Sequence, residues 1–172
     1  MTIHRKIARL PAKNYLGRQT YFVTICCDHR APYLVEKTTA QPVLSLLLEC
    51  AANHSFRLHA YCLMPDHLHI LAEGAHDQSD LLEFIRLFKQ RTAFQFRQSH
   101  RRPLWESSYY DHILRPHDQI EDVACYIWWN PVRKHLCHHP NEFPYSGSQT
   151  IDWLNRSTNA TSWSAPWKSG PL

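Results

Sequence analysis

The stretch Phe56–Ala72, FRLHAYCLMPDHLHILA, decides the fold. Phe56 to Leu63 and His67 to Ala72 alternate in the manner of strands, and Met64-Pro65-Asp66 between them supplies turn chemistry, so the stretch reads as a β-hairpin. Alternate side chains of a strand share a face, which sets His67 and His69 on one side and Leu68 on the other, toward a core. Two imidazoles on one face of a rigid strand can grip one ion. An ion held by only two histidines keeps open positions at which a phosphate can be polarised or a nucleophile activated. A second element has to complete such a site.

Working outward, Thr20 to Cys26 (TYFVTIC) is rich in aromatic and β-branched residues and follows Gly17, which predicts a first strand. From about Thr39 to Asn53, Leu44, Leu47, Leu48 and Ala51 recur at helical spacing, with Pro42 suited to the first turn. Beyond the hairpin, Asp80 and Glu83 form a capping-box pattern for a helix running to about Gln98, with Leu81, Ile85 and Phe88 on its apolar side. Tyr109 to Arg115 (YYDHILR) predicts a fourth strand. Asp118 and Glu121 then repeat the capping signal before a helix with Ile120, Val123, Ala124 and Ile127 on one face. Strand, helix, strand, strand, helix, strand is the split βαβ of the ferredoxin-like α+β architecture, with an antiparallel sheet and one further helix appended.

The chain has 172 residues, 44% of them hydrophobic and 20% charged, so it reads as globular, with one domain at 1–146 and a weakly structured tail at 147–172. The tail is rich in Ser, Thr, Asn and Gly and carries Trp153, Trp163 and Trp167. The formal charge of +4 is modest, so its distribution matters more than its size. Arg5, Lys6, Arg9, Lys13 and Arg18 all precede the first acidic residue, Asp28, giving a basic arm suited to a polyanion. On the helix after the hairpin, Arg86, Lys89 and Arg97 cluster on one side; a solvated face is the plain reading, and the neighbouring Arg101 and Arg102 favour phosphate contact. The six cysteines include no C-x-x-C pair and read as reduced thiols. With no apolar run long enough to span a bilayer and no signal-peptide core, a cytoplasmic protein is expected.

The second element is the last helix. Tyr126 and Asn130 stand four residues apart, on the flank of its apolar face. Asn130 could supply a third ligand through its side-chain carbonyl, and Tyr126 could attack phosphorus with its phenol oxygen, helped by a polarised phosphate and local positive charge. Imidazole ligands suit Zn²⁺ or Mn²⁺, and an amide oxygen with phosphate oxygens also admits Mg²⁺. The plain readings are that Asn130, followed by Pro131, caps a new helical turn, and that Tyr126 is an ordinary half-buried aromatic. Tyr109 and Tyr110 are rival nucleophiles, but as consecutive strand residues they face opposite ways, and neither has an Asn four residues on. Arg115 could contact phosphate or cap a sheet edge with charge. His112 shares a face with Tyr110 and reads as a core or supporting histidine. His135, Cys137, His138 and His139 read as a solvated helix end, and Trp128 and Trp129 as packing residues.

HAYCLMPDHLHIL at 59–71, WESSYYDHILR at 105–115 and YIWWNPV at 126–132, with YFVTIC at 21–26, resemble the REP-associated tyrosine transposases of the HUH single-tyrosine superfamily. The resemblance covers about residues 8 to 147. It implies a metal-dependent nuclease and strand transferase acting on single-stranded or hairpin DNA of palindromic repeats, with Mg²⁺ or Mn²⁺ as cofactor. By this resemblance Tyr126 is the nucleophile that forms a 5′-phosphotyrosine linkage, His67 and His69 hold the metal, and Asn130 occupies the third-ligand position. DNA contacts are then expected from the basic arm and from Arg86, Lys89, Arg97 and Arg115. Asp66 stands where the family often has Asn, which bears on turn detail or adds a carboxylate near the metal. The short connection from Arg115 to Asp118 favours a helix serving its own chain, consistent with a monomer. Two other readings remain open: a catalytically silent repeat-DNA-binding protein, and a histidine-triad hydrolase, against which Leu71 stands where the third histidine would be.

Overall fold

A computed structural model describes residues 10–153. Strands β1 (Thr20–Cys26), β2 (Phe56–Met64), β3 (His67–Gly74), β4 (Tyr110–Ile113) and β5 (Ser146–Gly147) form one antiparallel sheet in the order β4-β1-β3-β2-β5. Helices α1 (Lys37–Asn53) and α2 (Leu81–His100) are the crossovers of the expected split βαβ. Helix α3 (Ile120–Trp128) and the single turn α4 (Asn130–Arg133) follow β4.

The sheet is buried on both faces, which separates two cores. Tyr21, Val23, Ile25, Leu58, Leu68 and Ile70 pack with Leu47 of α1 and with Phe84 and Phe88 of α2. Phe22, Ala60, Cys62, Met64 and Leu71 pack with Val123, Tyr126, Ile127 and Trp128 of α3. β2 serves both cores through a bulge: Leu58 pairs with Ala72 and Ala60 with Leu71, leaving His59 as the extra residue. That one-residue slip switches the alternation, so Phe56 and Leu58 face α1 and α2 while Ala60, Cys62 and Met64 face α3. Burying each large side chain of α3 contributes about 1.5–3 kcal/mol, so the helix is a structural lid on its own sheet.

Several local expectations change. α1 begins at Lys37, so Pro42 lies beyond the first turn, where it deletes the N–H that would reach Thr38. Asp80 caps α2 as expected, its Oδ1 accepting the Glu83 N–H at 3.1 Å. α3 instead has Gln119 as its N-cap, without a side-chain bond, because the Asp118 carboxylate accepts the Arg115 backbone N–H at 2.8 Å. Residues 147–153 of the expected tail are docked: Gly147 pairs with Tyr61, the Gln149 N–H donates to the Leu58 carbonyl at 2.9 Å, and Thr150 Oγ1 meets His59 Nδ1 at 2.8 Å. Trp153 stacks on Trp128 with ring centroids 4.6 Å apart. β-pairing and indole burial hold this segment where composition suggests little order. Arg5, Lys6, Arg9, Trp163 and Trp167 lie outside the described residues. The six cysteines are free thiols. Among the described residues no helix is long and apolar enough to cross a membrane.

Candidate active site

β3 presents His67 and His69 to the α3 side of the sheet, opposite Cys26 and Thr24 of β1 and Met64 and Cys62 of β2. Both rings are buried. Each is gripped from behind at Nδ1: His67 by Asp66 Oδ1 at 2.6 Å, His69 by Thr24 Oγ1 at 2.8 Å. A carboxylate can only accept, so the His67 proton sits on Nδ1, and the same tautomer follows for His69 where Thr24 accepts. The two Nε2 atoms then turn their lone pairs toward each other at 3.0 Å. Such a contact is resolved by a cation or a proton between them. Two nitrogens sharing one ion at about 2.1 Å and subtending a right angle lie about 3.0 Å apart, so the pair fits a bound metal.

Asp66 therefore does more than shape the turn. Its hydrogen bond with His67 holds its carboxyl below the ordinary value against the opposing effect of burial, and Arg30 adds a smaller push in the same direction. Carboxylate support of a ligating imidazole fixes both tautomer and ring orientation. Among the described residues no group of three His, Cys, Asp or Glu could hold a metal. A third protein ligand would come from another residue type, and the amide of Asn130 is one candidate.

α3 brings Tyr126 onto this face. Its ring packs against Phe22 (centroids 6.3 Å apart), and Phe22 in turn packs against His69 (5.3 Å). Trp129, between α3 and α4, keeps helical torsions (φ −80°, ψ −2°), so Asn130 follows Tyr126 by about one helical turn on a nearly continuous helix. Asn130 is buried and is the first residue of α4, whose N-cap is Trp129. The capping alternative is thus not realised, and Pro131 sits in the first turn, where its missing N–H costs nothing. The Arg133 guanidinium carbon lies 4.2 Å from the centroid of the Tyr126 ring, and Arg133 also donates to the Tyr126 carbonyl.

Tyr110 pairs with Thr24 and His112 with Phe22, so both lie on the histidine face, whereas Tyr109 packs with the opposite core. Burial, reinforced by Asp111, pushes the Tyr110 phenol up to about 12, which disfavours it as a nucleophile. His112 contacts Asp118 at 3.5 Å as a supporting histidine. The helix-borne cations are not brought to the site. α2 packs on the far face; there Arg86 is bound by Glu83 at 2.7 Å, Lys89 donates to the Glu106 carbonyl at 2.8 Å, and Arg97 is exposed. Arg18 pairs with Asp77 at 3.0 Å, and Lys13 and Arg115 are exposed. Among the described residues Arg30 and Arg133 border the site, and sequence reading did not single them out. For Arg133 the signal was available: it lies seven residues beyond Tyr126, two helical turns along the same side.

The model of the family described as "Transposase IS200 like" matches residues 16–129. Two relatives carry the name REP-associated tyrosine transposase. One, so named provisionally, is from Haemophilus influenzae and is 24% identical over 168 residues, covering 90% of each chain. The other is from Escherichia coli and is 24% identical over 156 residues, covering 84% of this chain and 90% of that one. Among solved structures, a REP-associated tyrosine transposase bound to a REP hairpin superposes with a TM-score of 0.72 at 19% identity, covering 96% of both chains.

Proposed function

Since the chain belongs to the IS200-like transposase family, we propose that it cuts and rejoins single-stranded repeat-hairpin DNA through a covalent bond to Tyr126, with a divalent metal, Mg²⁺ or Mn²⁺, on His67 and His69. The observation that supports this most directly is the pair of back-supported imidazoles, Nε2 to Nε2 3.0 Å, on the face that α3 covers with Tyr126. The REP hairpin held by the structural relative supports DNA of that form as the substrate.

In this reading the Tyr126 Oη–P bond forms as the P–O3′ bond breaks. The phenol proton leaves, the 3′ oxygen gains one, and the product is a 5′-phosphotyrosine with a free 3′-hydroxyl. One phosphoester replaces another, so the reverse attack by a 3′-hydroxyl restores a DNA phosphodiester without an outside energy source. A metal bound at the imidazoles would draw charge from a phosphate oxygen. Asp66 holds the His67 ring in the ligating tautomer, and Thr24 fixes the orientation of the His69 ring. Asn130 offers a carbonyl one turn from the phenol. Packing of Tyr126 between Phe22 and Arg133 restricts its ring, which lowers the entropic cost of placing the nucleophile.

The test is incubation with a labelled repeat hairpin carrying unpaired flanks, with Mn²⁺ or Mg²⁺, followed by a denaturing gel. An adduct from the unaltered protein that disappears in Tyr126→Phe and persists in Tyr110→Phe is expected. An adduct persisting in Tyr126→Phe would move the nucleophile elsewhere. Binding without any adduct would favour a silent repeat-DNA-binding protein.

A further inference from the structure

We propose that Arg30 is a phosphate-binding residue at the His67 edge of this site; the assignment rests on the DNA-handling reading above. Just past β1, the chain turns through Asp28–Arg30 with His29 at φ 52° and Arg30 at φ 56°. Two consecutive left-handed residues without a glycine are strained for L side chains, so the turn is held by its surroundings. The Cys27 N–H donates to the Asp66 carbonyl at 2.9 Å, Asp28 N–H to the Leu104 carbonyl at 2.9 Å, and Arg30 N–H to the Cys27 carbonyl at 2.9 Å.

The turn folds the Arg30 side chain back over the strand end. Nη1 lies 2.9 Å from Cys26 Sγ, and Nε lies 3.3 Å from Asp66 Oδ2. Cys26 is the cross-strand partner of His67 and shares its face, so the guanidinium borders the histidine side of the sheet. Its side chain is half exposed. Of its five N–H donors, one at Nη1 makes a hydrogen bond among the described residues and the Nε contact with Asp66 is an ion pair, leaving the rest of a planar fork for an incoming oxyanion.

Electrostatics gives the placement its meaning. A guanidinium beside a pair of metal-ligating imidazoles repels a divalent cation, and Asp66, already bonded to His67, offsets only part of that charge. A partly exposed Arg–Asp pair contributes little stability by itself. A phosphate diester touching both the metal and the guanidinium turns this liability into binding, because its oxygens can accept from the fork while facing the cation.

The experiment measures hairpin affinity by fluorescence anisotropy in the Tyr126→Phe background, across a range of salt concentrations, with Mn²⁺ affinity and melting temperature determined on the same proteins. The probe is a fluorescein-labelled DNA hairpin with unpaired flanks. Arg30→Gln is expected to weaken binding about 3- to 10-fold and to reduce the slope of log K against log salt by about 0.7–0.9, the loss of one phosphate contact. Arg30→Lys is expected to keep the slope, and Mn²⁺ affinity is expected not to fall in either variant. An unchanged slope in Arg30→Gln overturns the assignment. So does a loss of affinity accompanied by weaker Mn²⁺ binding, which would make Arg30 a support for Asp66 and His67 only. If the unaltered protein binds the hairpin but forms no adduct, the transferase reading fails while the slope still decides the role of Arg30; if it binds no hairpin, both fall.

Discussion

Replacing Asp66 by Leu should weaken metal binding far more than replacing Thr24 by Val, although each residue holds one imidazole of the same pair. Asp66 Oδ1 lies 2.6 Å from His67 Nδ1 and is ionised, whereas Thr24 Oγ1 lies 2.8 Å from His69 Nδ1 and is neutral. A hydrogen bond to a charged partner is worth about 1.5–3 kcal/mol and a neutral one about 0.5–1.5 kcal/mol. At 1.4 kcal/mol per tenfold, the Asp66 bond corresponds to about 10- to 100-fold in affinity and the Thr24 bond to about 2- to 10-fold, in the range found for partners that orient metal ligands. Asp66→Leu keeps a similar size while removing both charge and acceptor, so it deletes the whole charged bond, and Thr24→Val deletes the neutral one while keeping the shape. Mn²⁺ titration followed by electron paramagnetic resonance reads the affinity, with circular dichroism to show that the sheet persists. Equal affinity in Asp66→Leu and the unaltered protein, or a larger loss in Thr24→Val, would refute the reasoning.

Two further perturbations test the scaffold. A Cβ on Gly74 would stand 2.0 Å from the Gly17 carbonyl oxygen and 2.9 Å from Ser79 Cβ, backbone and short side chain that cannot swing aside, so Gly74→Ala should destabilise the fold by about 2–4 kcal/mol in urea unfolding. Burial pushes the phenols of Tyr21 and Tyr110 up from 10.0 to about 12. Their folded-state pKa values exceed the unfolded ones, so their contribution is present below pH 10 and fades as pH rises toward 12. Phenolate absorbance at about 295 nm, read as the difference from Tyr21→Phe and Tyr110→Phe, should therefore rise only at pH well above the ordinary tyrosine range; ionisation of these phenols near the ordinary value of about 10 with the circular dichroism of the sheet intact would contradict it.

The ferredoxin-like order was legible because each element carried its own signal: alternation in β1 and in the hairpin, apolar spacing in α1 and α2, and a capping Asp80. Tyr126 and Asn130 were legible as a pair because helical spacing alone puts them together. Other features depend on distant parts of the chain. The bulge at His59 needs knowledge of which side of β2 faces α3, and nothing within Phe56–Met64 marks it. Residues 147–153 look weakly ordered by composition, yet their order comes from Leu58, His59 and Trp128, far away in sequence. Asp118 matches a capping pattern but serves Arg115 instead, because the turn before α3 offers a nearer backbone donor. Arg30 reads as one cation in a short polar stretch; only the left-handed turn shows that it folds back onto Cys26 and Asp66.

The segment that follows α4 also governs when the site becomes whole during synthesis. Everything that builds the imidazole pair, from Thr20 to Gly74, leaves the ribosome before Tyr126, and the strap that seals α3, from β5 to Trp153, follows both. A nascent chain therefore owns the imidazole pair before it owns Tyr126, and it secures the helix that carries Tyr126 only once Trp153 has closed over Trp128. Chains stalled or truncated between these points would carry an imidazole pair and an exposed apolar helix, a species disposed to aggregate.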